Sequence, residues 1–489
     1  MILNLTNQVP EQAALIILGT PSTDDSIKAG PAQYAGMGLK EYAYRLFYNS
    51  EGRLCFLLHI PSGHSNYGKT LEAARLLAHE NKDQWPDELV LDSQLDAIDH
   101  PMLLAAVEGL SLGQYQIGKW KSEAAEHKTD TVLTVLYLGE SLQSALEAHK
   151  DEIHTPTFED FSIKLERTIV LADVEKKIMD LVNAPANHKR PQHLAEWARK
   201  SAETYQYRSE IFDKEACIDI GLHALLAVNR GSEDGAQFIV LEYRHPDASE
   251  GPVALVGKGV TFDTGGISLK RPTNMHLMKS DMGGAAAVLA TLEAAARMQL
   301  PLHLVGIVPT TDNSVDALSI KPSDVIQSYS GKTIEIIDTD AEGRLILSDG
   351  LAYAIKHFQP RQLISIATLT GSAVRTFGYE CAALFSKNEE MVSDLRQTGE
   401  RVGQRCWPLP PWDEYRADLN SDVADIANLN TRPIAGAIDA FKFLEFFTEE
   451  HPSYAHLDIA GVALKAGPYA RDRQSTAFGP RLLLEWLQQ

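Results

Sequence analysis

Five near-continuous apolar runs constrain this chain more than any other feature. FIVLEYR (238–244), VALVGKG (253–259), LHLVGIV (302–308), TIEII (333–337) and LISIATL (363–369) alternate with the helical stretches GGAAAVLATLEAAARMQ (283–299), RLILSDGLAYAIKHF (344–358) and AIDAFKFLEFF (437–447). A strand that is apolar along its length must be covered on both faces, and helices recurring between such strands supply the cover. The pattern predicts an α/β domain with a mostly parallel central sheet flanked by helices. The first 160 residues repeat the rhythm on a smaller scale, with strands at 13–19, 54–60, 88–92 and 131–139 and helices KTLEAARLLAHE (69–80) and SLQSALEAHK (141–150). Between the two lies IKLERTIVLADVEKKIMDL (163–181), a long amphipathic helix, ended by the proline-containing NAPANHKRP. The expected organisation is an N-terminal α/β domain, 1–160, and a larger C-terminal domain, 161–489, with 161–183 as linker helix.

Composition narrows the function. Lys and Arg total 45 and Asp and Glu 66, so the formal charge is 45 − 66 = −21. Binders of nucleic acid cluster Lys and Arg to neutralise phosphate, so nucleic acid is not indicated as a partner. Cys55, Cys217, Cys381 and Cys406 lie far apart with no CxxC, the usage of reduced thiols. No apolar run reaches the roughly 18 residues of a membrane span. The first residues lack the basic start and cleavage site of a signal peptide. The expectation is a cytoplasmic protein with no membrane partner.

The sharpest chemistry lies between residues 256 and 344. VGKGVTFDTGGISLK carries Lys258, Asp263 and Lys270; MKSDMGGAAAVLA carries Asp281; DTDAEGRLILSDG carries Asp338, Asp340, Glu342 and Arg344. Each group falls just beyond the carboxyl end of a predicted strand, where open α/β sheets build their clefts. Four carboxylates from three loops cannot gather in a buried cleft unpaired, because repulsion and desolvation are too costly. Divalent cations resolve this, and Lys258 becomes a nitrogen ligand if they drive off its proton. Hard oxygen donors plus one amine suit Zn²⁺, Mn²⁺, Mg²⁺ or Co²⁺ without choosing among them. The ordinary role of any single Asp here is a turn former or helix cap.

Two other patterns compete. GHSNYGKT (63–70) satisfies G-x-x-x-x-G-K-[ST] between a predicted strand and helix, with Asp92 available for Mg²⁺; it supports nucleotide binding as an alternative. DTDAEGRLILSD spaces its acids like a calcium loop, but the strand-like KTIEII before it replaces the entering helix such a loop needs. HExxH and GxSxG are absent. His276 reads as an ordinary surface or packed histidine rather than a ligand.

At these residues the sequence resembles the leucyl aminopeptidase (cytosol aminopeptidase) family of dinuclear metallopeptidases. DTDAEGRL (338–345), VGKGVTFDTGG and MKSDMGGAA match its metal segments, and the likeness runs on through LVNAPANHKRP, ATLTGSA, SDVADIANL and HLDIAGVA. The resemblance implies an aminopeptidase removing N-terminal, leucine-like residues from peptides through a water bridged by two divalent ions, Zn²⁺ or Mn²⁺. It implies Lys258, Asp263, Asp281 and Glu342 as ligands of a tightly held ion, and Asp263, Asp340 and Glu342 as ligands of an exchangeable one. It implies Lys270 as the group that polarises the scissile carbonyl and Arg344 as holder of a bicarbonate general base. Met278, Thr368, Leu369 and Gly371 match substrate-pocket positions. The family's homohexamer is a further implied partner state. Asp338 stands where the family has Asn, adding a negative charge. A two-metal phosphoesterase is the other enzyme class such carboxylates suit, although no further cationic cluster for phosphate is evident nearby.

Overall fold

The computed structural model describes residues 2–6, 14–19, 40–48, 54–60, 66–82, 85, 88–92, 100–122, 132–136 and 158–489. Contacts divide the chain into two units, Met1–Asp173 and Val174–Gln489, and the division falls inside one long helix, Phe158–Asn183.

In the first unit, strands β1 (Ile2–Thr6), β2 (Ala14–Gly19), β3 (Tyr44–Tyr48), β4 (Leu54–His59), β5 (Glu88–Asp92) and β6 (Val132–Leu136) form one sheet in the order β1-β6-β5-β2-β4-β3. All pairings are parallel except β3 with β4. Ile16, Phe56, Leu77, Leu91 and Leu110 belong to its core. The structure adds elements that periodicity did not find: β1, β3 and the helix His100–Gly113. That helix, HPMLLAAVEGLSLG, is apolar almost all round and so carries no amphipathic period. The expected helix 141–150 lies outside the described residues, as do Gly63, His64 and Ser65 of the GHSNYGKT segment. Of that segment, Asn66 caps the helix Tyr67–Glu80 by accepting from the Lys69 amide at 3.0 Å, and the Lys69 ammonium lies 5.3 Å from the Tyr42 ring centre.

The second unit has the expected architecture. Its strands are β7 (Arg208–Phe212), β8 (Gln237–Arg244), β9 (Val253–Gly257), β10 (Gly259–Asp263), β11 (His303–Asn313), β12 (Val325–Gln327), β13 (Thr333–Glu335), β14 (Gln362–Ala367), β15 (Ala382–Ser386), β16 (Cys406–Pro408), β17 (Ile426–Ala427) and β18 (Tyr454–Asp458), with the short separate pair β19 (Leu464–Lys465) and β20 (Gln474–Ser475). The central sheet runs β16-β15-β18-β14-β9-β11-β8-β7, with β10 on β11. Its middle, β18-β14-β9-β11, is parallel, and antiparallel pairs occur toward the edges. β9 is buried at every position, as its unbroken apolar run requires. Helix Gly283–Arg297 reaches it at Gly257 and helix Glu342–Phe358 at Val256; successive residues of a strand face opposite ways, so the two helices cover opposite faces. TIEII departs from expectation. Only Thr333–Glu335 is extended, and it joins a separate small sheet, β12-β13-β17. Ile334 alone of the three is buried, so the central sheet's two-sided cover is missing there. None of the four cysteines is in a disulfide, and no helix among the described residues is long and apolar enough to cross a membrane.

Candidate metal centre

Parallel strands place their carboxyl ends along one edge, and there the cleft forms. Lys258 follows β9, Asp263 closes β10, and Thr368 follows β14. Asp281 ends the 3₁₀ segment Met275–Ser280, and Glu342 and Arg344 stand in the first turn of helix Glu342–Phe358. A carboxylate in that turn also meets the positive end of the helix dipole. All the expected site residues line one cavity of about 600 Å³: Lys258, Asp263, Lys270, Asp281, Asp340, Glu342 and Arg344, with Met278, Thr368, Leu369 and Gly371. His276 does not. It lies exposed, its Nε2 2.9 Å from Asp472 Oδ2.

Two lysines tie the acids together. Lys258 Nζ sits 2.7 Å from Asp281 Oδ2 and 2.8 Å from Glu342 Oε1, and donates to the Thr368 carbonyl at 3.0 Å. Lys270 Nζ sits 2.7 Å from Asp263 Oδ2 and pairs with Asp340. Asp263, Asp340 and Glu342 each offer an oxygen, and these oxygens lie within 4.8 Å of one another. Gly343 makes room for this. A Cβ there would stand 2.5 Å from Lys258 Cε, so any side chain would push the lysine out. Gly265 holds φ +88°, and a Cβ would lie 2.9 Å from Asp340 Oδ1.

The electrostatics are those of an under-compensated anionic cluster. Burial, with Asp263 and Glu342 beside it, raises the Asp340 carboxyl to about 7. Burial lifts Asp281 well above the carboxylate range, and burial followed by Asp263 lifts Glu342. Burial lowers both lysines, but their carboxylates outweigh it: Asp281, Glu342 and Asp263 hold Lys258 above its ordinary value, and Asp263, Glu342 and Asp340 do the same for Lys270. Four carboxylates meet two ammonium groups at ion-pair distance, so two negative charges are left over when all are ionised. Glu342 Oε2 is buried with no hydrogen-bond partner, as is Arg344 Nε. An orphaned carboxylate oxygen and a surplus of hard donors fit divalent cations.

Several residues that shape the site were not singled out by sequence. Asn313 donates to Asp263 Oδ1 at 2.9 Å and to the Thr339 carbonyl at 3.1 Å, joining two of the loops. Asp458, closing β18, accepts from the Leu369 amide at 3.1 Å and from Thr370 Oγ1 at 2.7 Å. Asn428 accepts from the Ile337 amide at 2.8 Å, and its carbonyl accepts from Arg344 Nη1 at 2.9 Å. Their common signal is a polar residue ending an apolar strand at the cleft edge.

Comparison with known proteins extends this geometry. Residues 177–484 match the model of the cytosol aminopeptidase family, catalytic domain. A probable cytosol aminopeptidase of Chlorobaculum tepidum is 40% identical over 439 residues, covering 86% of this chain and 84% of that protein. Another, from Geobacter sp. (strain M21), is 46% identical over 312 residues, 63% of each chain. The solved structure of the bottromycin maturation enzyme BotP in complex with Mn superposes with a TM-score of 0.82 at 30% identity, over 97% of this chain and 99% of that one. Fold, carboxylate cluster and relatives together define a metal-dependent aminopeptidase, an enzyme whose substrates are peptides. The chain belongs to the cytosol aminopeptidase family.

Proposed function

We propose that this enzyme removes apolar, leucine-like N-terminal residues from peptides with two divalent ions at the cleft, Zn²⁺ or Mn²⁺. The carrying observation is the convergence of Asp263, Asp340 and Glu342 within 4.8 Å, beside Lys258 and Lys270. In this reading residues 161–489 form the catalytic domain, with 161–183 linking it to the N-terminal domain 1–160. Lys258, Asp263, Asp281 and Glu342 hold one ion and Asp263, Asp340 and Glu342 the more exchangeable one. When bound, the ions supply an acidified water near neutral pH and a positive centre for the substrate's amino terminus.

The chain's own groups do the rest. Lys270 carries an ammonium beside Asp263 and Asp340, placed to steady negative charge developing on the scissile carbonyl oxygen. Arg344 is buried, with its Nε unpartnered and its Nη1 anchored on the Asn428 carbonyl, a fixed cation that would hold a bicarbonate, which would supply a proton acceptor there. Met278, Leu369, Thr368 and Gly371 bound the side-chain pocket, and Leu277 and Val374 add apolar wall, which supports an apolar first residue. A cytoplasmic homohexamer completes the reading. Asp340→Ala or Glu342→Ala should each abolish release of leucine from a chromogenic leucine amide; full activity in either variant sinks the assignment.

A further inference from the structure

Three arginines share the cavity with the acidic cluster, and the aminopeptidase reading gives them no task. Arg271 follows Lys270, Arg375 lies in the last turn of helix Gly371–Phe377, and Arg473 lies on a loop near the C-terminus; all three line the cavity. Among the described residues none has a carboxylate within ion-pair distance, although acids outnumber bases 66 to 45 in this chain. Elsewhere in the same unit some arginines find acids, as Arg190 with Asp234, Arg361 with Glu250 and Arg405 with Glu400, and others such as Arg244 and Arg396 do not; what sets these three apart is their place in the cavity. Neighbouring carboxylates are engaged by other groups. Asp472 takes His276 and the Arg473 amide, Glu380 takes Lys465, and Asp338 takes the Asp340 amide.

Two of the three guanidiniums are also positioned. Arg473 Nη1 donates to the Tyr379 hydroxyl at 3.1 Å, and its guanidinium lies 5.3 Å from that ring's centre. Arg375 folds back over Gly371, where a Cβ would meet its Nη1 at 3.4 Å. A planar guanidinium held without an acid inside a substrate cavity is a receptor for a planar anion, because its fork matches a carboxylate.

We infer that Arg271, Arg375 and Arg473 form a carboxylate subsite beyond the scissile bond, and that the enzyme favours peptides carrying a carboxylate there. The inference rests on the aminopeptidase reading. Each residue past the scissile bond extends the substrate by roughly 3.3–3.6 Å. A peptide held by its amino terminus at the acidic cluster therefore brings a free carboxylate into the same cavity only when that group lies one or two residues on. Two sources supply it: the chain end of a di- or tripeptide, or an Asp or Glu side chain after the first residue.

The test compares kcat/KM for Leu-Gly against Leu-Gly amide, and for Leu-Asp amide against Leu-Asn amide, with leucine 4-nitroanilide as the uncharged reference for each protein. The first pair reads the chain end and the second the side chain. The expected result is an advantage of about tenfold or more for the carboxylate member of at least one pair. It should shrink as salt is raised. It should also fall toward one in the triple variant Arg271→Gln, Arg375→Gln, Arg473→Gln, which separates guanidinium recognition from direct attraction of the carboxylate to the ions. Ratios near one in both wild-type pairs, or an advantage untouched by the triple variant, overturn the inference and leave the aminopeptidase reading standing. No cleavage of any leucine substrate by the metal-loaded enzyme removes that reading and the subsite with it.

Discussion

Glu342 and Asp349 are buried acids on one helix, seven residues apart, and their surroundings are opposite. Asp349 has both oxygens satisfied by backbone: Oδ2 accepts from the Leu225 amide at 3.0 Å and Oδ1 from the Tyr329 amide at 2.8 Å. Glu342 has Lys258 at 2.8 Å on one oxygen and nothing on the other, with Asp263 adding like charge. Burial is the largest cause raising both carboxyls. The protein answers Asp349 with dipoles fixed in its fold, which stitch the helix to two other segments, although burial still outweighs them and raises the carboxyl. It leaves Glu342 short of positive charge, and what is missing must come from outside the chain. A structural acid and a ligand acid are distinguished here by who supplies the compensation.

Exchanging the two carboxylates for amides should separate these roles most sharply. Glu342→Gln should lower kcat/KM for a leucine amide by about a thousandfold or more, the scale of losing several kcal/mol of metal-assisted stabilisation. Its thermal midpoint without added metal should stay level or rise, because a repelled charge is removed. Asp349→Asn should do the reverse. One backbone amide loses its acceptor, costing about 1–3 kcal/mol in chemical denaturation, while activity at a permissive temperature stays within about threefold. An Asp349→Asn enzyme that is inactive yet fully stable would break the comparison.

Protons offer a finer probe. In the metal-free site the Asp340 carboxyl titrates near 7, Asp281 and Glu342 are raised, and Lys258 holds its proton above the usual lysine value. Metal ligands must be deprotonated, so binding releases protons and affinity rises with pH. Apparent Mn²⁺ affinity should fall about tenfold per pH unit for each proton released as pH drops from 8 to 6. Calorimetry in buffers of different ionisation enthalpy counts those protons, and a count of zero contradicts a site built this way.

Asp349 has its own signature. Burial raises it to about 7, above its unfolded value near 3.8, so its stabilising contribution is present below the unfolded value and is lost as pH rises through about 7. Asp349→Asn should flatten unfolding stability between pH 4 and 7. A slope unchanged by the substitution would assign that pH dependence to other groups.

The contrast also explains what could be read from sequence. The cluster was legible because its members sit in short segments rich in Gly and Asp, with Lys258 and Asp263 just after an apolar run that is buried along its whole length. Asp349 appeared within the same motif, but its purpose was hidden: Leu225 lies 124 residues away. Asn313 and Asp458 were missed for the same reason, each a lone polar residue at the end of an apolar strand with its partners far along the chain. The sequence showed no cationic cluster near the acids beyond Lys270 and Arg344, and the structure corrects this: Arg271, Arg375 and Arg473 stand on three separated segments that only the fold brings to one cavity. In the first unit, β3 and the helix His100–Gly113 left no usable period. Local chemistry is written locally; compensation of buried charge is a property of the folded chain.

Asp338 yields the smallest expected effect, because it tests geometry against charge at a position between the two kinds of acid. Its Oδ1 accepts from the Asp340 amide at 2.8 Å, while Asn428 Nδ2 holds its carbonyl at 2.7 Å. That is an Asx turn, and an asparagine oxygen makes the same bond. Asp338→Asn should therefore change kcat/KM by less than about threefold, since one partly screened charge is removed and the turn is kept. Asp338→Ala removes the acceptor, costs about 1 kcal/mol locally and frees the backbone that aims Asp340, so its loss of activity should be several times larger. Equal losses in the Asn and Ala variants would mean that the charge acts directly on the site. A loss confined to Ala assigns Asp338 to the fixed-geometry side of the comparison, with Asp349, although it stands only two residues from Asp340.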